Sequence, residues 1–113
     1  MTINSAHYSI VVFIPSTHLK QVKNAMFTAG AGKIGSYQDC CWQVEGQGQF
    51  RPLLGNKAFI GDTNKLSTVN EYRVEMICEE KLLPLVITAL IESHPYETPA
   101  FHYYRVETRI LKT

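Results

Sequence analysis

The sequence contains no long hydrophobic run and no excess of charge of one sign. Its longest apolar run, residues 10–14, is far shorter than the roughly 20 residues that a helix needs to cross a bilayer. Its 11 basic and 10 acidic side chains leave a formal net charge of +1, whereas a nucleic-acid-binding protein usually carries a basic patch. The sequence therefore predicts neither a membrane protein nor a nucleic-acid-binding protein.

Cysteines are few, and their spacing is not that of a metal site. The three cysteines are Cys40, Cys41 and Cys78, and the N-terminus lacks the pattern of a secretory signal. No C-x-x-C or H-x-x-x-H spacing occurs, and Cys40 and Cys41, as neighbours on a strand, would point to opposite faces. We expect free structural thiols in a cytoplasmic protein, with no bound metal and no cofactor.

A phosphate-binding loop is also excluded, although the segment GAGKIGS at residues 30–36 resembles one in composition. A phosphate loop follows a strand and opens a helix, whereas these glycines follow a predicted helix. The pattern instead predicts that Gly30 ends the helix in a left-handed conformation. An anion site formed by Lys33 and the neighbouring backbone N–H groups stays open as an alternative.

Hydrophobic periodicity predicts six elements in the order β-α-β-β-α-β. Residues 8–14 form a strand buried on both faces, and Ser16 caps a helix with an apolar stripe at helical spacing. A half-buried strand follows at residues 40–50, in which Gly46 and Gly48 mark a bulge or bend. An irregular stretch covers residues 51–67, and a strand with one wet face follows around residues 71–78. A second helix has Pro84 in its first turn, and a last strand covers residues 100–107.

This order predicts an α+β, ferredoxin-like fold: a four-stranded antiparallel sheet with two helices on one face. We expect one domain over residues 1–113. Four aromatic side chains suggest that the opposite face of the sheet is partly apolar, namely Trp42, Tyr72, Tyr103 and Tyr104. A homo-oligomer would cover such a face.

The segment His94-Pro95-Tyr96-Glu97-Thr98-Pro99 is the strongest functional candidate. Its prolines fix an extended bend, and a rigid loop that presents His, Tyr and Glu side chains is often functional. A rigid helix-to-strand connector is the alternative. The polar residues of the long loop, Arg51, Asn56, Lys57 and Asp62, have the same two interpretations.

Several segments together resemble the YqfO family, specifically the domain inserted between the two halves of its metal-binding members. The motifs that carry the resemblance are G-A-G-x-I-G, G-x-G-x-F-x-P, F-I-G and H-P-Y-E-x-P, which occur in this order within residues 8–107. The matching residues are Gly30, Gly32, Ile34, Gly35, Gly46, Gly48, Phe50, Pro52, Phe59, Ile60, Gly61, His94, Pro95, Tyr96, Glu97 and Pro99.

The resemblance implies a fold like that of the CutA and PII-like proteins, which tend to form trimers. It also implies that this chain is a stand-alone version of the domain. In the full-length members, the metal ions are held by the flanking domain, so the resemblance transfers neither metal ligands nor a hydrolase activity to these 113 residues.

We therefore expect a non-enzymatic, cytoplasmic homotrimer that binds a small ligand or a protein partner in clefts between subunits. The expected cleft residues are Lys33, Arg51, His94, Tyr96 and Glu97, and no catalytic residue is assigned. One alternative is a divalent-metal-binding protein of CutA type that uses His and Cys ligands. The other is a small-metabolite enzyme with His94 or Glu97 as acid or base.

Overall fold

The computed structural model describes residues 4–108, and the ends of the expected domain, residues 1–3 and 109–113, lie outside this range. Six elements follow one another in the predicted order. They are β1 (Asn4–Pro15), α1 (Leu19–Thr28), β2 (Trp42–Phe50), β3 (Ser67–Glu79), α2 (Leu83–Ser93) and β4 (Phe101–Thr108). No helix among these residues is long and apolar enough to cross a membrane.

The four strands form one antiparallel sheet in the order β2-β3-β1-β4. The central pair, β1 and β3, supplies most of the core, and both helices pack on the same face. The predicted ferredoxin-like fold is therefore confirmed. The fully buried side chains of this core include Ile10, Val12, Ile14, Val22, Met26, Val74, Val86 and Leu90.

Helix α1 ends as predicted but begins differently. The N–H of Gly30 donates to the Phe27 carbonyl (3.0 Å) and that of Ala31 donates to the Met26 carbonyl (3.1 Å), which is the Schellman pattern that ends a helix. Gly30 has a φ of +117°. At the other end, a short 3-10 turn, Ser16–His18, precedes the helix, and the residue at the N-cap of α1 is His18, so the predicted Ser16 cap is wrong.

Pro84 lies at the start of α2, as predicted. A 3-10 turn, Glu80–Leu82, leads into the helix, so the missing N–H of Pro84 falls where the helix has no internal acceptor. The proline therefore fixes where α2 begins.

The face of the sheet opposite the helices is here called the open face, and it is partly apolar. Val11 and Trp42 both pair with Glu75, and Phe13 and Val44 both pair with Arg73. Because directly paired residues of neighbouring strands point the same way, these residues lie on the open face. Trp42 is 59% exposed and Val44 is 45% exposed. Both side chains are available to a further surface.

Two of the four aromatics expected on the open face lie on the helix side instead. Tyr72 pairs with Ile14, and Tyr103 pairs with Ile10, and both partners belong to the core. Tyr103 and Tyr104 cannot share a face, since successive residues of a strand alternate.

Strand β2 is exposed on both faces, so the expected half-buried strand is wrong. It lies at the edge of the sheet and runs past the helices. The 13 residues of β3 span roughly 43 Å at strand rise, whereas the 11 residues of α2 span roughly 17 Å. The end of the β2–β3 hairpin therefore extends beyond the helical layer.

Candidate functional site

A cavity of about 380 Å³ lies at this extended end of the β2–β3 hairpin. The loop of residues 51–66 folds back there against the segment between α2 and β4. Its lining includes three aromatic and three charged side chains, Phe50, Phe59, Tyr96, Arg51, Glu71 and Glu97.

The long loop is ordered by its own side chains. The Asn56 amide donates to the Leu53 carbonyl (2.6 Å) and to Thr63 Oγ1 (2.8 Å), and its oxygen accepts the N–H of Ala58 (3.0 Å). Arg51 Nη1 donates to the Asn64 carbonyl at 2.8 Å. This stretch is thus a compact loop of the type that often carries function, in which Asn56 has a structural role.

Glu97 fixes the loop to the segment that follows α2. Its Oε1 accepts the backbone N–H of Lys57 at 2.8 Å, across 40 residues of sequence. Arg51, Tyr96 and Glu97, three of the five expected site residues, therefore lie around one cavity.

Glu71 also lines the cavity, whereas the sequence predicted only that β3 has one wet face. Its Oε2 accepts the Tyr96 hydroxyl at 2.8 Å. The carboxylate lies over Gly48, where an added Cβ would come within 2.6 Å of the Glu71 Cδ. The β2–β3 pairing continues unbroken through Gly46 and Gly48, so the predicted bulge is wrong, and Gly48 instead makes room for Glu71.

Tyr96 stands at the centre of a group of rings. Its centroid is 6.3 Å from that of Phe50, 6.4 Å from that of Phe59 and 4.8 Å from that of His94. Burial, reinforced by the hydrogen bond to Glu71 and by its charge, raises the pKa of the Tyr96 hydroxyl above its ordinary value. Tyr96 is therefore a neutral donor at physiological pH.

His94 lies directly behind Tyr96 and is 6% exposed. Its Nδ1 accepts the N–H of Tyr96 (3.2 Å), so Nε2 carries the proton and donates it to the Phe13 carbonyl at 2.8 Å. Burial lowers the pKa of His94, against the opposing effects of the Phe13 bond and the Glu71 charge. Both ring nitrogens are thus engaged in holding the segment onto β1.

Lys33 does not line this cavity. The N–H of its neighbour Gly32 donates to the carbonyl of Ile77 on β3. Ile77 lies six residues along the strand from Glu71, and six residues of strand span roughly 20 Å. The N–H groups of Gly30, Ala31, Gly32 and Ile34 all donate to backbone carbonyls. They are therefore not free to form the anion site considered for Lys33.

Metal ligation finds no support within the part of the chain that the structure describes. Across residues 4–108, no three His, Cys, Asp or Glu side chains lie close enough together to hold an ion. Cys78 is buried in the core, and burial, with a smaller effect of Glu79, raises its thiol pKa to about 11. Cys40 and Cys41 are partly buried and free.

Known proteins contain a segment similar in sequence to this chain. The chain is 43% identical over 103 residues to a Halalkalibacterium halodurans protein named GTP cyclohydrolase 1 type 2 homolog, and 43% identical over 98 residues to its Bacillus subtilis counterpart. These alignments cover 91% and 87% of this chain. The chain is homologous to one segment of these proteins.

That segment is a small part of each relative. It makes up 28% of the H. halodurans protein and 26% of the B. subtilis protein, so the chain spans about a quarter of their length. No family model matches the chain.

Solved structures support both the homology and the fold. A Bacillus cereus protein related to NIF3 aligns over 93% of this chain and 27% of its own, with a TM-score of 0.77 and 36% identity. The divalent cation tolerance protein CutA of Archaeoglobus fulgidus aligns over 94% of this chain and 88% of its own, with a TM-score of 0.62 and 16% identity. B. subtilis GlnK aligns over 90% and 85%, with a TM-score of 0.55 and 10% identity. The last two show the fold alone.

Proposed function

We propose that the chain is a non-enzymatic, cytoplasmic module of the YqfO family, which forms a homotrimer and binds a small ligand or a protein partner beside the hairpin cavity. The observation that carries the proposal is the convergence of three separate motifs on that cavity: the G-x-G-x-F-x-P run, the F-I-G run and the H-P-Y-E-x-P run each contribute lining residues. Residues far apart in sequence form one concave, mostly apolar site.

The open face supports the oligomeric part of the proposal. Trp42 and Val44 are exposed there beside the apolar Val11 and Phe13, and covering such a face with another copy stabilises it. A cleft that includes Lys33 together with Arg51 and Glu97 requires Lys33 from a neighbouring copy.

The state of His94 favours binding over catalysis. Because both ring nitrogens are engaged with the backbone and the ring is buried, His94 is poorly placed to exchange a proton with a substrate. We assign it a positioning role for Tyr96 and Glu97.

Sedimentation velocity tests the assembly. We expect a species of about three times the 12.8 kDa chain mass at micromolar concentration. Val44→Glu should dissociate it, because a charge would be buried in the contact. Leu85→Glu is the matched control, since Leu85 is also exposed, at 60%, but lies on α2. A wild-type monomer, or equal behaviour of the two variants, would contradict the trimer.

A further inference from the structure

The lining of the hairpin cavity indicates the chemistry of its ligand. Its charged groups are two carboxylates, Glu71 and Glu97, and one guanidinium, Arg51, so the lining carries a formal excess of one negative charge. Arg51 is directed toward its own loop, where Nη1 donates to the Asn64 carbonyl.

The carboxylates retain acceptor capacity. Within residues 4–108, hydrogen bonds reach one oxygen of each: Oε2 of Glu71 accepts the Tyr96 hydroxyl, and Oε1 of Glu97 accepts the Lys57 N–H. The second oxygen of each, Oε1 of Glu71 beside Gly48 and Oε2 of Glu97, accepts no hydrogen bond from these residues. The nearby donors, by contrast, are largely used within the protein, as the Asn56 amide and the Ala58 N–H show.

Three aromatic rings complete the lining. Phe50 and Phe59 stand 6.3 and 6.4 Å from Tyr96, with interplanar angles of 51° and 45°. They are tilted rather than stacked, so their faces are not all covered by one another. Aromatic faces attract cations through the ring quadrupole, and the attraction is stronger where water is displaced.

We infer that the cavity binds a small organic cation, an ammonium or amidinium group carried on a flat apolar body. The cationic group would lie between the carboxylates of Glu71 and Glu97, and the apolar body would lie against the rings. The inference rests on the proposed ligand-binding function and specifies its ligand class. A volume of about 380 Å³ accommodates a ligand of this size.

Three probes of nearly equal size and different charge test the inference: benzylammonium, benzyl alcohol and benzoate. Each is titrated at pH 7 into the ¹⁵N-labelled full chain, and amide shifts are followed by NMR. We expect benzylammonium to shift the resonances around Tyr96 and Glu97 and to bind at least about tenfold more tightly than benzoate.

Glu97→Gln separates charge from structure. The glutamine oxygen can still accept the Lys57 N–H, so the loop contact is retained while the charge is removed. We expect the variant to bind benzylammonium several-fold more weakly and benzyl alcohol unchanged. Glu92→Gln, an exposed position on α2 outside the cavity, should leave both affinities unchanged.

The outcomes distinguish the two levels of the proposal. Binding of benzoate or benzyl alcohol as tightly as benzylammonium leaves a ligand site in place but overturns its cation preference. An unchanged benzylammonium affinity in Glu97→Gln does the same. If no probe moves the cavity resonances at millimolar concentration, the proposed ligand site itself fails, and the inference fails with it.

Discussion

A single glycine beneath a glutamate side chain shapes the cavity. Gly48 has no side chain, so the Glu71 side chain can lie over β2 and its carboxylate can accept the Tyr96 hydroxyl. Gly46, two residues earlier on the same strand, has an open environment, since a Cβ there would meet nothing within 4 Å. Two glycines of one motif thus have different physical roles.

Substituting each of these glycines tests the difference. In Gly48→Ala the new methyl displaces Glu71 from Tyr96, and we expect a loss of about 1 kcal/mol of unfolding free energy from the lost hydrogen bond. In Gly46→Ala we expect no loss and up to about 1 kcal/mol of gain, because alanine has less backbone freedom to lose on folding. Chemical denaturation measures both, and equal effects of the two substitutions would contradict the role of Gly48.

His94 gives the fold a defined dependence on pH. Its pKa is lowered below the ordinary 6.5, so the unfolded chain binds more protons than the folded chain as pH falls below about 6.5. Protonation at Nδ1 would also place two donors, the His94 Nδ1–H and the Tyr96 N–H, face to face. The stability that neutral His94 contributes is therefore fully present above about pH 6.5 and is lost progressively as the pH falls below that value.

We expect the unfolding free energy to fall between pH 7 and pH 5, and to fall less steeply in His94→Gln. His102→Gln is the control, because His102 is exposed on β4 and its replacement should leave the slope unchanged. Urea denaturation at a series of pH values gives the slopes. Parallel curves for wild type and His94→Gln would exclude His94 as the source.

At the level of elements, the turn that ends α1 joins local geometry to tertiary packing. Gly30 has a φ of +117°, and a Cβ on it would lie 2.7 Å from Leu82 Cδ1, beside the start of α2. The glycine therefore permits both the Schellman turn and the close approach of the two helices. The segment that at first resembles a phosphate loop thus has a packing role.

Gly30→Ala should combine two costs, backbone strain at positive φ and contact with Leu82, and we expect it to destabilise the protein by about 2 kcal/mol. Gly55→Ala provides the comparison, because Gly55 has a φ of +90° but nothing within 4 Å of its Cβ position. We expect about 1 kcal/mol there, from strain alone. Thermal and urea unfolding report both values, and a cost at Gly55 as large as that at Gly30 would exclude the packing contribution.

The elements were predictable from local pattern, and the site was predictable only in part. Alternation along β3 and the apolar stripe of α1 depend on nearby residues, so the sequence alone predicts the sheet and its helices. The Tyr96–Glu71 bond joins residues 25 apart, and the His94–Phe13 bond joins residues 81 apart. Such contacts depend on strand register. The signal that could have indicated Glu71 is Gly48, since a glycine inside a strand often marks a close approach.

At the level of the whole molecule, the two faces of the sheet have different surroundings. One carries the helices, whereas on the other Arg73 stands 5.8 Å from the centre of the Phe13 ring and 3.4 Å from Glu75. This charged pair covers part of the apolar centre and leaves Trp42 exposed. The proposed trimer would remove Trp42 from water.

Trp42 is the only tryptophan of the sequence, so its fluorescence reports assembly directly. We expect the wild-type emission maximum at a shorter wavelength, and weaker quenching by acrylamide, than in the dissociated Val44→Glu variant. Leu85→Glu should match the wild type. Identical spectra for the wild type and Val44→Glu would place Trp42 outside any subunit contact.

The overhang of the β2–β3 hairpin has a consequence for how this protein can diversify. The core ends near Tyr72, whereas the cavity is built on residues that extend past the helices. Substitutions at Phe59 or Arg51 would consequently change the proposed binding surface at little cost to the packing of the core. If the cavity binds a ligand as proposed, the outer loop residues that would set its specificity are largely distinct from the buried residues that stabilise the core, so one set can change by mutation while the other persists.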